Sequence, residues 1–171
     1  MNLISGGKNG QCMLYALAML LNESPESLIE EIGHDGLTKV WNDLPEPYCY
    51  PGFHIQEVID VLFKRKQALV CVDAMPTTTP HPLTLVKFKV RKSPDPHFMF
   101  NNVLAAAVRI KQYLENRQAI LVGETKKGSP HAVAWDGQKV YDSRGKIYGL
   151  TLDDKNCDFQ IRTAYIRVFL Q

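Results

Sequence analysis

The sequence lacks a large excess of charge of either sign. Lys plus Arg number 20 and Asp plus Glu 18 among 171 residues, a formal net charge of +2. A dedicated nucleic-acid binder carries a basic surplus, so no nucleic-acid partner is expected. No apolar run approaches the ~20 residues needed to cross a bilayer, which argues against a membrane partner. The start, Met1-Asn2-Leu3-Ile4-Ser5-Gly6-Gly7-Lys8, has neither the long apolar segment nor the cleavage site of a secretory signal. Cysteine is scarce: Cys12, Cys49, Cys71 and Cys157 stand apart, without C-x-x-C spacing. That pattern is neither a disulfide scaffold nor a zinc signature. His34, His54, His81 and His97 form no i, i+4 pair, so neither a metal nor another cofactor is expected. Repeats, low-complexity tracts and charge blocks are absent too. What remains is a single domain over residues 1–171, with 45% apolar residues and free thiols in a reducing, cytoplasmic setting.

Several elements can be read along the chain. Cys12 to Leu21 (CMLYALAMLL) has no charge, Gly or Pro and is apolar on every side. It predicts a buried helix, stopped from extending backwards by the turn residues Asn9-Gly10. Ser24-Pro25-Glu26 is a second helix start that should run to near Gly33. Ile55, Val58, Ile59, Leu62 and Phe63 recur at helical spacing from His54 to about Lys66. Ala68 to Val72 reads as a short buried strand, and Leu83 to Val90 as another between Pro-rich loops. Val103 to Asn116 reads as a helix. From Ala119 onward AILVG, HAVAW, KVYD and TAYIRVFL read as strands. Helices followed by an antiparallel sheet define an α+β layout.

Cys12 opens the buried helix directly after a Gly-containing turn. Unpaired N–H groups and the positive end of the helix dipole favour thiolate over thiol there. The same donors suit a developing oxyanion. The plain alternative is a small core residue, the common fate of a free Cys and the one expected for Cys49, Cys71 and Cys157.

The second informative stretch is Ser129 to Asp142, SPHAVAWDGQKVYD. Asp136-Gly137 between two strand-like runs is a strong signal for a type I′ hairpin. A loop of those two residues pairs Trp135 with Gln138, Ala134 with Lys139 and Val133 with Val140. Continuing two steps puts His131 opposite Asp142, where a carboxylate can orient an imidazole. A three-residue loop would instead place Asp142 opposite Ala132 and break the pairing. Asp142 also has a plain alternative as a turn-forming residue before Ser143-Arg144-Gly145. Together Cys12, His131 and Asp142 supply a nucleophile, a base and an orienting acid.

With Asn9-Gly10-Gln11-Cys12 at a helix start and His131 and Asp142 far downstream, the chain resembles the papain-like cysteine peptidase superfamily. NGQCMLYALA is similar to the nucleophile segment of ovarian-tumour-type deubiquitinases. HAVAWDGQKVYDSRG is closer to the His segment of bacteriocin leader peptidases and related compact bacterial or phage enzymes. The matches cover about 25 residues, so the resemblance is to an architecture. It implies a Cys-bearing helix packed on an antiparallel sheet that carries the His and the acid. Cys12 would be nucleophile, His131 general base and then acid, and Asp142 orienter. Many papain-like peptidases place an oxyanion Gln about six residues before the Cys, where this chain has Gly6. Gln11, Asn9 or backbone N–H groups would have to stand in. Trp135, on the face of His131, and Gly10 are candidates for lining a substrate cleft.

The expected activity is hydrolysis of a peptide or isopeptide bond in a protein or peptide substrate through a thioester. Deamidation, transglutaminase-like chemistry and acyl transfer use the same triad, and a catalytically silent binding module is the non-enzymatic alternative. Cys12 lies so near the start that no inhibitory pro-segment is expected. A small enzyme of this kind suits a bacterial, phage or delivered-effector setting, including host cytoplasm.

Overall fold

The computed structural model describes residues 1–38, 51–73, 110, 112–125, 127–150 and 159–171. Cys49, Cys157, His81, His97, the strand expected over 83–90 and the Pro-rich loops lie outside these residues. Of the helix expected over 103–116, residues 110 and 112–114 are described and helical.

Helix α1 spans Cys12–Leu21. It starts where a turn ends: the Gln11 N–H donates to the Lys8 carbonyl at 3.0 Å, and Gly10 holds φ +93°. Its uninterrupted apolar sequence buries Leu14, Leu17, Met19 and Leu20, each worth about 1.5–3 kcal/mol. Asn22, in the left-handed region, closes the other end. Arg167 then donates from Nη1 to the Leu20 carbonyl at 2.9 Å, placing a cation at the negative end of the helix.

Helix α2, Pro25–Ile32, is capped by Ser24, whose Oγ accepts from the Ser27 N–H at 3.1 Å. It ends at Gly33, φ +96°. Helix α3, Ile55–Lys64, starts with a capping box. Here His54 Nδ1 accepts from the Gln56 N–H, and Glu57 reaches back to the His54 N–H at 2.7 Å.

Arg65, just past α3, ties the helices together. It donates to both oxygens of Glu23 (3.0 and 2.8 Å) and of Glu31 (3.2 and 2.7 Å), and to the Val61 carbonyl. Arg65→Met leaves the Glu23 and Glu31 carboxylates without their shared cation, with Lys64, 3.3 Å from Glu31, still in place. The urea midpoint should fall by the equivalent of about 2 kcal/mol, between the values for exposed and buried pairs. An unchanged midpoint would show the cluster to be energetically neutral.

Among the described residues the sheet has six strands: β1 Gln67–Asp73, β2 Ala119–Thr125, β3 Pro130–Trp135, β4 Val140–Asp142, β5 Lys146–Tyr148 and β6 Phe159–Phe169. Their order is β1-β6-β2-β3-β4-β5, and every described pair is antiparallel. The protein is therefore α+β, with α1 packed on β3. Alternation along β3 sends Ala132 and Ala134 into the core shared with the helices. It sends Val133 and Trp135 into a second core with Leu114, Val140, Tyr148 and Phe159.

Two expectations are corrected. The strand over 68–72 is not buried: among the described residues β1 pairs with β6 alone, with Val70 48% exposed and Cys71 exposed as well. An apolar run does not reveal whether a strand will find one neighbour or two. The hairpin register also differs. Trp135 pairs with Val140 and Ala134 with Tyr141, and the Asp136 N–H donates to the Lys139 carbonyl at 3.1 Å.

The two-residue turn is thus Gly137-Gln138, one position later than expected. Gly137 at its first position has φ +108°, as a type II′ turn requires. Asp136 Oδ1 selects this turn by accepting from the N–H groups of Gln138 (2.8 Å) and Lys139 (2.7 Å). A Cβ on residue 137 would also lie 3.1 Å from the Asn116 Cα.

Among the described residues no helix is long and apolar enough to cross a membrane.

Candidate active site

Moving the turn by one residue shifts the β3–β4 register by two. Asp142 then falls across from Val133 rather than His131. A shift of two keeps side chains on the same face, whereas a shift of one would reverse them. His131 and Asp142 become diagonal neighbours, ~7–8 Å apart along the sheet and still within side-chain reach. His131 Nε2 lies 3.0 Å from Asp142 Oδ1. A carboxylate only accepts, so Nε2 carries a hydrogen and Nδ1 is left for the other side of the ring. Phe159 meets that ring edge-on, with centroids 5.9 Å apart.

Cys12, at the first position of α1, faces His131 closely enough for each to shift the other's titration. The sulfur, the ring and the carboxylate meet where α1 begins, β3 begins and β4 ends. Burial pushes the half-buried Cys12 thiol up. The hydrogen bond and charge of His131, with the backbone groups of Ala132 and Met13, outweigh burial, so its pKa moves down. Burial pushes His131 down, but Asp142 and Cys12 outweigh it and raise its pKa to about 9. Burial likewise pushes Asp142 up, while His131 and Arg144 hold its carboxyl well below the usual carboxylate range. Such a set can carry a thiolate beside an imidazolium near neutral pH.

Gln11 is buried, and both ends of its amide are engaged. Oε1 accepts from the Lys8 N–H at 3.0 Å and Nε2 donates to the Asp35 carbonyl at 2.8 Å. Its side chain holds the loop in front of Cys12. Asn9 is exposed in the preceding turn. The start of α1 has no side-chain cap, which leaves backbone N–H groups there. Gly10 packs backbone to backbone: a Cβ there would lie 3.0 Å from the Gly36 carbonyl oxygen and 3.5 Å from the Gly52 Cα. Trp135 is four residues from His131, ~13 Å along the strand. It belongs to the second core, where its indole N–H donates to the Leu114 carbonyl at 2.8 Å. The structure therefore brings Cys12, His131 and Asp142 together, with Gln11 and Gly10 supporting the turn before them. It leaves Trp135 away from the site.

Sequence reasoning missed several supporting residues. Arg144 and Tyr148 both hold Asp142. His34 Nε2 lies 2.5 Å from Glu57 Oε1, and its Nδ1 accepts from the Gly36 N–H at 3.1 Å. Its ring stacks on Phe53 at 4.8 Å. This group anchors the 34–36 turn that meets Gln11 and Gly10. The Gly6 N–H donates to the Ser143 carbonyl at 3.1 Å, tying the segment before Cys12 to the turn after Asp142. The only sequence signal for these partners was the D-S-R-G run itself, an acid followed two residues later by an arginine in a turn.

No protein-family model matches this chain, and no curated protein sequence does either.

Proposed function

We propose that the protein is a thiol hydrolase of papain-like arrangement that cleaves a peptide or isopeptide bond. The observation that carries this reading is the half-buried Cys12 facing an imidazole whose Nε2 lies 3.0 Å from the Asp142 carboxylate. The order Cys, His, Asp along the chain and the packing of the Cys helix on the sheet that carries the other two support it further.

In this reading the Cys12 thiolate attacks the carbonyl carbon of the scissile amide, and the carbonyl electron pair moves to oxygen. The N–H of Cys12, at the uncapped start of α1, is the donor for that oxyanion. The imidazolium of His131 gives its proton to the leaving amine as the C–N bond breaks, which leaves a thioester on Cys12. Water then attacks the thioester, and neutral His131 takes the proton it loses. Release of the carboxylic acid restores the thiolate and imidazolium. Asp142 stays ionised and keeps the ring from rotating. We place the protein in a reducing compartment such as the cytoplasm, where free thiols persist.

The test presents ubiquitin-type conjugates, peptides and glutamine amides in parallel, beside an activity-based thiol probe. The probe should label Cys12, and a peptide or isopeptide conjugate should be cut. Ammonia release without chain cleavage would assign deamidation instead. Failure of the probe to label Cys12 would overturn thiol catalysis.

A further inference from the structure

Asp142 has a second charged partner that a nucleophile–base–acid set does not require. The Arg144 guanidinium grips the carboxylate by its edge. Nε lies 3.1 Å from Oδ1 and 3.0 Å from Oδ2, and Nη2 lies 2.5 Å from Oδ2. The Arg144 N–H adds a bond to Oδ1 at 2.9 Å, and the Tyr148 hydroxyl donates to Oδ2 at 3.3 Å. Oδ1 is thus shared between His131 and Arg144, while Oδ2 faces only donors other than His131. The carboxylate is fully buried, whereas the Arg144 side chain is 33% exposed. The turn that folds Arg144 back is closed by the Gly145 N–H, which donates to the Asp142 carbonyl at 2.9 Å. Gly145 has φ +83°.

We propose that Arg144 is a positioning residue of this site: it clamps the Asp142 carboxylate and takes up part of its charge, so that Asp142 orients His131 without holding the imidazolium proton too tightly. Its consequence for turnover rests on the thiol-hydrolase reading. A fixed guanidinium suits this role because it matches a carboxylate edge-on and remains charged throughout.

Among the described residues, the other groups around the ring leave Arg144 as the main regulator of that charge. Cys12 faces His131 from α1 and Asp142 faces it from β4, while β6 contributes the phenyl edge of Phe159. On the neighbouring strands, Glu124 and Arg162 pair with each other at 2.7 Å. Lys146, opposite Asp142 on β5, is exposed.

The two roles Arg144 could have move His131 in opposite directions. If Arg144 only props up the turn, its loss frees the carboxylate, and His131 falls toward the ordinary histidine range. If Arg144 shares the charge, its loss leaves Asp142 more negative, and His131 holds its proton to higher pH. The experiment is an NMR titration of the His131 ring in the full chain, with no substrate present. Arg144→Gln should raise the midpoint by about half a unit or more. Arg144→Lys keeps the charge and should stay within roughly 0.3 unit of the parent. An unchanged or lowered midpoint in Arg144→Gln overturns the proposal. Should that variant fail to fold, a shift beyond that margin in Arg144→Lys overturns it instead. No substrate enters the measurement, so its outcome is separate from whether the chain proves to be a hydrolase.

Discussion

If the chain is the proposed thiol hydrolase, Cys12→Ala and His131→Ala should each reduce turnover by roughly 10³-fold or more, the usual cost of removing a member of a unit that acts together. The two losses should not add in the double variant, because without the sulfur there is nothing for the imidazole to activate. The fold survives Cys12→Ala, since the large buried side chains of α1 are Leu14, Leu17, Met19 and Leu20. A chemical readout separates the two roles without any substrate. Peptide-resolved alkylation by iodoacetamide at pH 6 should find Cys12 ahead of Cys71, since a free thiol is nearly all protonated there. Cys71 is the fair comparison because it is exposed on β1. In His131→Ala the advantage of Cys12 should shrink sharply, because the largest influences that lower its pKa come from that ring. The advantage should also shrink in the parent above about pH 9, where His131 loses its proton. Near-parent turnover in either variant would remove the mechanism. Equal labelling of both thiols at pH 6 would remove the activated nucleophile.

The parts of this site written into short stretches of chain were legible, and the parts made by distant contacts were not. Cys12 to Leu21 is apolar all round, and α1 has those bounds. Ser24-Pro25 and Gly33 likewise mark both ends of α2. The hairpin was visible in Asp136-Gly137, yet two turns compete for those residues. The deciding contacts are the Asp136 carboxylate on the next two N–H groups and the backbone of Asn116 pressing on Gly137. The second lies some twenty residues away and leaves no mark in the local pattern. The His131–Asp142 juxtaposition survived the register error because the shift was even. The pairing partner of β1 is β6, at the far end of the chain, so the exposure of Val70 and Cys71 could not be read from ALVCV. The engagement of Gln11 with the Asp35 carbonyl is hidden for the same reason. Arg144 is a different case: it stands two residues from Asp142, but the bond exists only because the turn at Gly145 folds the guanidinium back.

On the proposed mechanism Asp142→Ala should lower turnover on the order of 10²-fold, less than loss of the sulfur, because the carboxylate would orient the ring and not be consumed. Its effect on stability is larger than that of the other site substitutions. The carboxylate is fully buried and joins His131, Arg144 and Tyr148. Removing it strands a part-buried guanidinium and an imidazole, a loss of about 3 kcal/mol. The loss depends on pH in a direction set by both partners. The Asp142 carboxyl titrates below its unfolded value, so its contribution is present above about pH 4 and fades as pH falls through the folded value. His131 is raised, so its contribution is complete below about pH 6.5 and is lost as pH climbs toward 9. The stability gap between parent and variant should therefore be widest between about pH 4 and 6.5. It narrows on the alkaline side as His131 deprotonates, but the Arg144 pair keeps it from closing. On the acid side it narrows further as Asp142 takes up a proton. Urea unfolding of both proteins at pH 2.5, 5.5 and 9.5 measures the three regimes. A gap independent of pH would show that Asp142 acts through packing alone, and the ion-paired site would lose its support.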